Sequence, residues 1–131
     1  MAYDFELTSV IPASPLVVYE AWISSDGHTA MTGAEASVDA RVGGAYEAWD
    51  GYITGRTLAL VPGQRIVQTW RTSEFSDTDA DSQIEVLLEP VEGGTKLTLR
   101  HTNVPDGQLE YEQGGWEESY FEPMREYFGR A

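Results

Sequence analysis

Residues 2 to 11 alternate in polarity: Tyr3, Phe5, Leu7 and Ile11 fall on one face, with Asp4, Glu6 and Thr8 on the other. A period of two with one apolar face predicts a half-buried strand. The pattern then changes. Ser14 offers an N-cap and Pro15 sits at the first helical position, where its missing N–H costs nothing. Leu16, Val17, Val18, Ala21 and Trp22 make a short apolar helix, which the SSDG stretch interrupts. A second short helix is predicted from about Asp26 to Met31, stopped at Gly33. From residue 35 the signal is strand again, with turns at Gly43-Gly44, Asp50-Gly51, Pro62-Gly63 and Gly93-Gly94. Ile84, Val86 and Leu88 share a face, as do Leu97, Leu99 and His101, while 74–82 reads as a polar acidic loop. Hairpins joined by short turns predict an antiparallel sheet with one wet face.

The apolar face of such a sheet needs a cover, and the segment 114–131 is the element long enough to supply it. At helical spacing Trp116, Tyr120, Phe121, Met124, Tyr127 and Phe128 fall within an arc of about 140 degrees. Glu118, Glu122, Arg125 and Glu126 fall outside it. The expected fold class is α+β: a curved antiparallel sheet of about six or seven strands wrapped around a long C-terminal helix, with two short helices after the first strand. Residues 1–131 are expected to form one domain. Two features weaken that helix, Gly114-Gly115 at its start and Pro123 in its middle. Pro123 lacks an N–H and meets the carbonyl of Ser119, so a kink is predicted there. The kink lets the helix follow a curved sheet, or makes it a lid hinged at Gly114 and Gly115 and bent at Pro123.

Charge changes the picture more than composition does. Twenty-two acids against eight bases give a formal charge of −14. Such a surface repels phosphate backbones and anionic lipid, which argues against nucleic-acid and membrane partners. Only one base is a lysine, Lys96. The balance fits either a high-salt host, where self-repulsion is screened, or an ordinary acidic protein. No stretch is apolar enough to span a membrane, the N-terminus lacks a signal-peptide pattern, and there is no cysteine. A cytoplasmic address, as a monomer or weak dimer, is the expectation.

Three stretches carry a family resemblance. VYEAW followed by VDARVGGAYEAWDGYITG looks like a first helix, a glycine pair and the strand after it. GRTLALVPGQRIVQTWR looks like a central hairpin with a Pro-centred turn, returning as an apolar strand that ends in Trp-Arg. GGWEESYFEPMREYFG looks like the start of a closing helix. Together they resemble the C-terminal-type domain of the activators of the heat-shock protein 90 ATPase, within the START-like, birch-pollen-allergen-like helix-grip superfamily. The resemblance covers nearly the whole chain. It implies a helix-grip fold and a co-chaperone role in the stress response. The superfamily also hosts binders, carriers and a few cyclases, so the fold alone does not choose an activity.

Catalytic constellations are not legible. Two histidines, no cysteine and no G-x-S-x-G leave no nucleophile–base triad. The Gly-Gly pairs lack the spacing of a phosphate loop and read as turns. Asp77, Asp79 and Asp81 alternate like the start of a calcium loop, but no glycine or closing glutamate follows, so no metal or other cofactor is expected. His101 stands either at a solvated strand end or as a polar anchor inside an apolar pocket, where it could titrate near neutral pH. Four tryptophans are rich for this length. They pack the core or wall a cavity, since a helix on a curled sheet rarely fills the concave space. Trp70, Trp116, Tyr120 and Met124 are the candidate walls, with Tyr46 and Tyr52 contributing hydroxyls. The sequence therefore ranks non-enzymatic binding of an apolar small molecule first, lipid- or polyketide-like, in a cavity under the C-terminal helix. Docking on a heat-shock protein 90-type chaperone stands second, and a cyclase or hydrolase in the same cavity last.

Overall fold

The computed structural model describes residues 3–105 and 111–129. The chain order is strand β1 (Tyr3–Ile11), helices α1 (Pro15–Trp22) and α2 (Ser25–Thr32), then strands β2 (Ser37–Val38), β3 (Ala45–Ala48), β4 (Ile53–Val61), β5 (Arg65–Thr72), β6 (Ser82–Val91) and β7 (Gly94–Val104). Helical segments Tyr111–Gly115 and Glu117–Phe121 lead into helix α3 (Glu122–Gly129). The seven strands form one antiparallel sheet in the order β1-β7-β6-β5-β4-β3-β2. This is the expected helix-grip α+β fold, with the C-terminal helix covering the sheet.

Local chemistry starts and stops the short helices. The Ser14 side chain accepts a hydrogen bond from the Val17 N–H, and Ser24 does the same for Gly27 at 3.1 Å. Helix α2 starts at Ser25 rather than Asp26 because Ser24 caps it, and it ends at Gly33 with φ of 83°. The first strands after the helices are short, only Ser37–Val38 and Ala45–Ala48.

Register explains where polar groups enter the core. One row of the concave face crosses four strands as Phe5, His101, Ile84 and Gln68, and continues to Thr57 on β4. Three of these five are polar, and all five are buried. The neighbouring row, Leu7, Leu99, Val86 and Ile66, is wholly apolar. Gly55 serves this packing. A Cβ there would lie 2.1 Å from the Thr69 carbonyl oxygen and 2.6 Å from the Tyr46 ring. Its absence lets Tyr46 lie flat across β4 and donate its hydroxyl to the Thr69 carbonyl at 2.6 Å.

The acidic segment 74–82 is folded rather than merely solvated. Arg71 donates to the carbonyls of Asp79 and Ser76, both at 2.7 Å, and its guanidinium lies 5.5 Å from the centre of the buried Phe75 ring. Ser82, at the end of the expected loop, opens β6 and is buried.

The C-terminal helix differs from a single rod. Gly114 has non-helical backbone angles, φ 165° and ψ −22°, so the run is broken there. At the other end the Glu122 N–H reaches the Glu117 carbonyl, five residues back, instead of the usual four. That wide turn immediately precedes Pro123, which has no N–H of its own to give. Trp116, Tyr120, Phe121, Met124 and Phe128 are buried, whereas Tyr127, assigned to the same arc, is 40% exposed. Arg125 clamps the helix to β1 through Ser9 Oγ at 2.7 Å and pairs with Glu117.

Replacing Gly55 with alanine should lower stability by roughly 1–3 kcal/mol, since both the β5 backbone and the Tyr46 ring must move. Urea denaturation monitored by tryptophan fluorescence measures it. An unchanged midpoint would mean that β4 and β5 separate without cost.

Candidate functional site

Beneath the C-terminal helix the sheet leaves a cavity of about 300 Å³. Trp70 and Ile53 form its floor from the sheet, with Trp49 and Tyr52 from the β3–β4 connection. Tyr111, Gly115, Trp116, Ser119 and Tyr120 bring the helix side. Among the described residues no lining side chain is charged. The walls are one aromatic cluster: Trp70 lies 4.9 Å from Tyr111 and 5.5 Å from Trp116, and Trp116 lies 4.8 Å from Tyr120, centre to centre. Such a lining suits an apolar or aromatic guest.

Two buried histidines hold these walls. The Trp116 indole N–H donates to His101 Nδ1 at 3.1 Å. An indole nitrogen can only donate, so Nδ1 must be bare and Nε2 must carry the proton. Nε2 therefore donates to Ser82 Oγ at 2.8 Å, and Ser82 donates onward to the Trp70 carbonyl at 2.6 Å. The second histidine reads the other way. His28 Nδ1 faces the Trp22 carbonyl at 2.8 Å and must donate, which leaves Nε2 to accept from the Tyr120 hydroxyl at 2.8 Å. Trp22 in turn donates its indole N–H to Gln68 Oε1 at 3.1 Å, and Gln68 donates to Thr57 at 3.2 Å. At the cavity's far side Tyr111 shares a 2.8 Å hydrogen bond with Thr72, and Tyr52 donates to Glu74.

Burial sets the protonation of all these groups. Desolvation pushes His101 down to about 3 and lowers His28 despite its bond to the Trp22 carbonyl. Both imidazoles are neutral at physiological pH, so the expectation that His101 titrates near neutrality is corrected. Desolvation raises the Tyr111 and Tyr120 phenols, which stay protonated as donors.

Of the residues singled out in the sequence, Trp70, Trp116, Tyr120 and Tyr52 border the cavity together. His101 faces inward but is fully buried behind Trp70 and Trp116, with both nitrogens occupied, so it anchors the wall rather than a guest. Met124 is buried in the core and Tyr46 is committed to Thr69; neither borders the space. Gly115 lines the cavity, Gly114 breaks the helix beside it, and Pro123 lies about two turns beyond, outside the lining. Four lining residues were not read as walls: Trp49, Ile53, Tyr111 and Ser119. Trp49 could have been found, as it sits beside the Asp50-Gly51 turn signal that bends β3 back over the sheet. Tyr111 had no such signal.

A curved antiparallel sheet gripping a C-terminal helix over an aromatic cavity defines a helix-grip protein. Within that class, the model of the Activator of Hsp90 ATPase homolog 1-like protein family matches residues 12–129, and the chain belongs to this family. Among curated relatives, Activator of 90 kDa heat shock protein ATPase homolog 1 from Homo sapiens is 28% identical over 116 residues, covering 88% of this chain and 34% of the relative. An uncharacterized protein of Schizosaccharomyces pombe is 30% identical over 118 residues, covering 90% and 34%. The chain thus spans about a third of the length of these relatives. The crystal structure of an HSP90 activator from Plasmodium falciparum superposes with a TM-score of 0.87 at 28% identity, covering 97% of this chain and 96% of that one. CalU16 from Micromonospora echinospora shares the fold with a TM-score of 0.78 at 23% identity, covering 97% and 76%.

The neutral state of His101 makes stability depend on acid. The folded protein binds no proton there until about pH 3, whereas the unfolded chain takes one near the ordinary value of 6.5. Stability is complete above pH 6.5 and falls as the pH drops, by about 1.4 kcal/mol per pH unit, or ~2 kcal/mol at pH 5. His28 acts in the same direction, so the contrast with His101→Asn isolates His101. Urea midpoints between pH 7 and 5 should fall less steeply in that variant; parallel curves would show His101 protonated without cost.

Proposed function

We propose that this chain acts on a partner, as an activator of a heat-shock protein 90-type ATPase. The observation that carries the reading is the Plasmodium falciparum HSP90 activator, whose fold and sequence agree with this chain across 97% of one and 96% of the other. The curated relatives named as activators match the same region at similar identity. These relatives reverse the ranking that the sequence alone suggests, where cavity binding stands ahead of partner binding. Through such a partner the protein would serve a stress response. The −14 charge supports a specific mode of contact: encounter is steered by a positively charged surface on the chaperone and weakens with salt. Adding the purified protein to a heat-shock protein 90-type chaperone from the same source should raise ATP turnover, and the rise should shrink as ionic strength increases. Unchanged turnover at low salt overturns the reading.

A second reading rests on a separate observation, the 300 Å³ aromatic cavity. In it the protein carries an apolar small molecule beneath the C-terminal helix, without catalysis. Trp70, Trp116, Tyr120 and Tyr52 are its walls, and the break at Gly114–Gly115 with the wide turn before Pro123 makes the helix a lid. Native mass spectrometry on protein purified gently from its own host should show a stoichiometric added mass that is lost on denaturation. A bare chain counts against a carried ligand.

A further inference from the structure

Among the described residues, six of the nine that line the cavity are aromatic: Trp49, Tyr52, Trp70, Tyr111, Trp116 and Tyr120. They reach it from the sheet side and from the helix side, and they turn a corner rather than extend a stack. The planes of Trp70 and Tyr111 meet at 83°, and those of Trp70 and Trp116 at 37°. An aromatic face carries excess negative charge and attracts a cation held within about 6 Å of the ring centre. Two of the phenols are tuned in that direction. Tyr52 donates its hydroxyl to the Glu74 carboxylate and Tyr120 donates to His28 Nε2, and donation of this kind leaves the ring richer in electrons.

The surroundings carry the same sign. Glu74 is exposed beside Tyr52, and the exposed acids Asp50, Glu112 and Glu118 each adjoin a lining residue in the chain. Arg71, the base next to Trp70, is turned away into the 74–82 segment, where it serves the Ser76 and Asp79 carbonyls and Asp81. With −14 on the whole chain, the field draws cations toward this side and repels anions.

The lining also selects the kind of cation. A primary ammonium brings three N–H donors, and burying them without acceptors is costly. Among the described residues the lining holds no side-chain carboxylate, amide or imidazole to accept them. A quaternary ammonium has no N–H to leave unpaired. It presents only methyl and methylene surface, which fits an apolar lining, and it still carries the charge that rings and field attract.

We propose that the cavity takes a small organic cation bearing a quaternary ammonium group, held against the aromatic walls. This rests on the second reading of function, that the cavity holds a small molecule, and it names the class of that molecule: apolar in its surface but positively charged.

The test compares phenyltrimethylammonium with tert-butylbenzene, which has the same shape without the charge, and with benzylammonium, a primary cation of similar bulk. Binding to the full chain is followed by the four indole N–H signals of ¹⁵N-labelled protein, and the signal lost in Trp49→Leu identifies Trp49. Phenyltrimethylammonium should bind about five- to tenfold more tightly than either of the others and should shift the Trp49 signal. Leucine keeps that wall apolar but has no ring face. In Trp49→Leu, whose fold is checked by its three remaining indole signals, the preference over tert-butylbenzene should therefore shrink. An undiminished preference there, or equal or tighter binding of tert-butylbenzene or benzylammonium with the Trp49 signal moving, overturns the proposal while leaving cavity binding intact. No binding by any of the three, or binding that leaves the Trp49 signal in place, overturns both.

Discussion

The contact on which the interior depends is the donation of the Trp116 indole N–H to His101 Nδ1. It joins the first full turn of the C-terminal helix to a buried row of the sheet beside the cavity. Because indole cannot accept, this one bond selects the tautomer of a buried imidazole, and the tautomer selects the direction of the next two bonds, through Ser82 to the Trp70 carbonyl. Trp70 and Trp116, neighbours in the wall, are thus set by a single chain of donors. Protonation of His101 would put two hydrogens face to face at Nδ1, which is why its neutrality is structural as well as electrostatic.

Directional bonds of this kind do what packing alone does less well. An interior of rings could fill the concave face in several ways at similar cost, because ring-on-ring contacts are broad in angle. His28, held by the Trp22 carbonyl and accepting from Tyr120, removes the remaining freedom on the α1–α2 side. With Trp116 and Tyr120 each tied at one end, the helix between them cannot slide to close the gap under Ser119. The cavity persists because Trp116, Tyr120, Tyr111 and Tyr52 in its walls are satisfied elsewhere.

The sequence shows its fold where the backbone and the burial pattern agree. Ile84, Val86 and Leu88 alternate cleanly because β6 is paired on both sides and wet on one face. Ser14 and Gly33 announce helix ends because the caps are local hydrogen bonds and a left-handed turn, independent of the rest of the chain. The candidate site was half legible for the opposite reason. Trp70 and Trp116 declare themselves by size, but Tyr46 and Tyr52 look alike in sequence, and only the register of β3 against β4, with Gly55 beneath the Tyr46 ring, sends one into Thr69 and the other to the cavity. His101 gave the least accurate signal. Its place among Leu97 and Leu99 marks it as inward, yet its two partners, Ser82 and Trp116, are nineteen and fifteen residues away in sequence. Nothing in local periodicity reports a bond of that range.

The wide turn before Pro123 joins local and global constraint. Proline removes one donor from the helix, and an ordinary turn before it would press its ring on the Ser119 carbonyl. The helix answers by widening, with the Glu122 N–H reaching back to Glu117. A wide turn rotates the residues after it relative to those before. The segment up to Phe121 can then aim Trp116 and Tyr120 at the two histidines, while Met124 and Phe128 still reach the core and Arg125 reaches Ser9 on β1. A regular helix would satisfy one of these sets at the expense of the other. The proline that looks like a defect in an amphipathic helix is therefore what lets its first half attach to β7 and α2 while its second half attaches to β1.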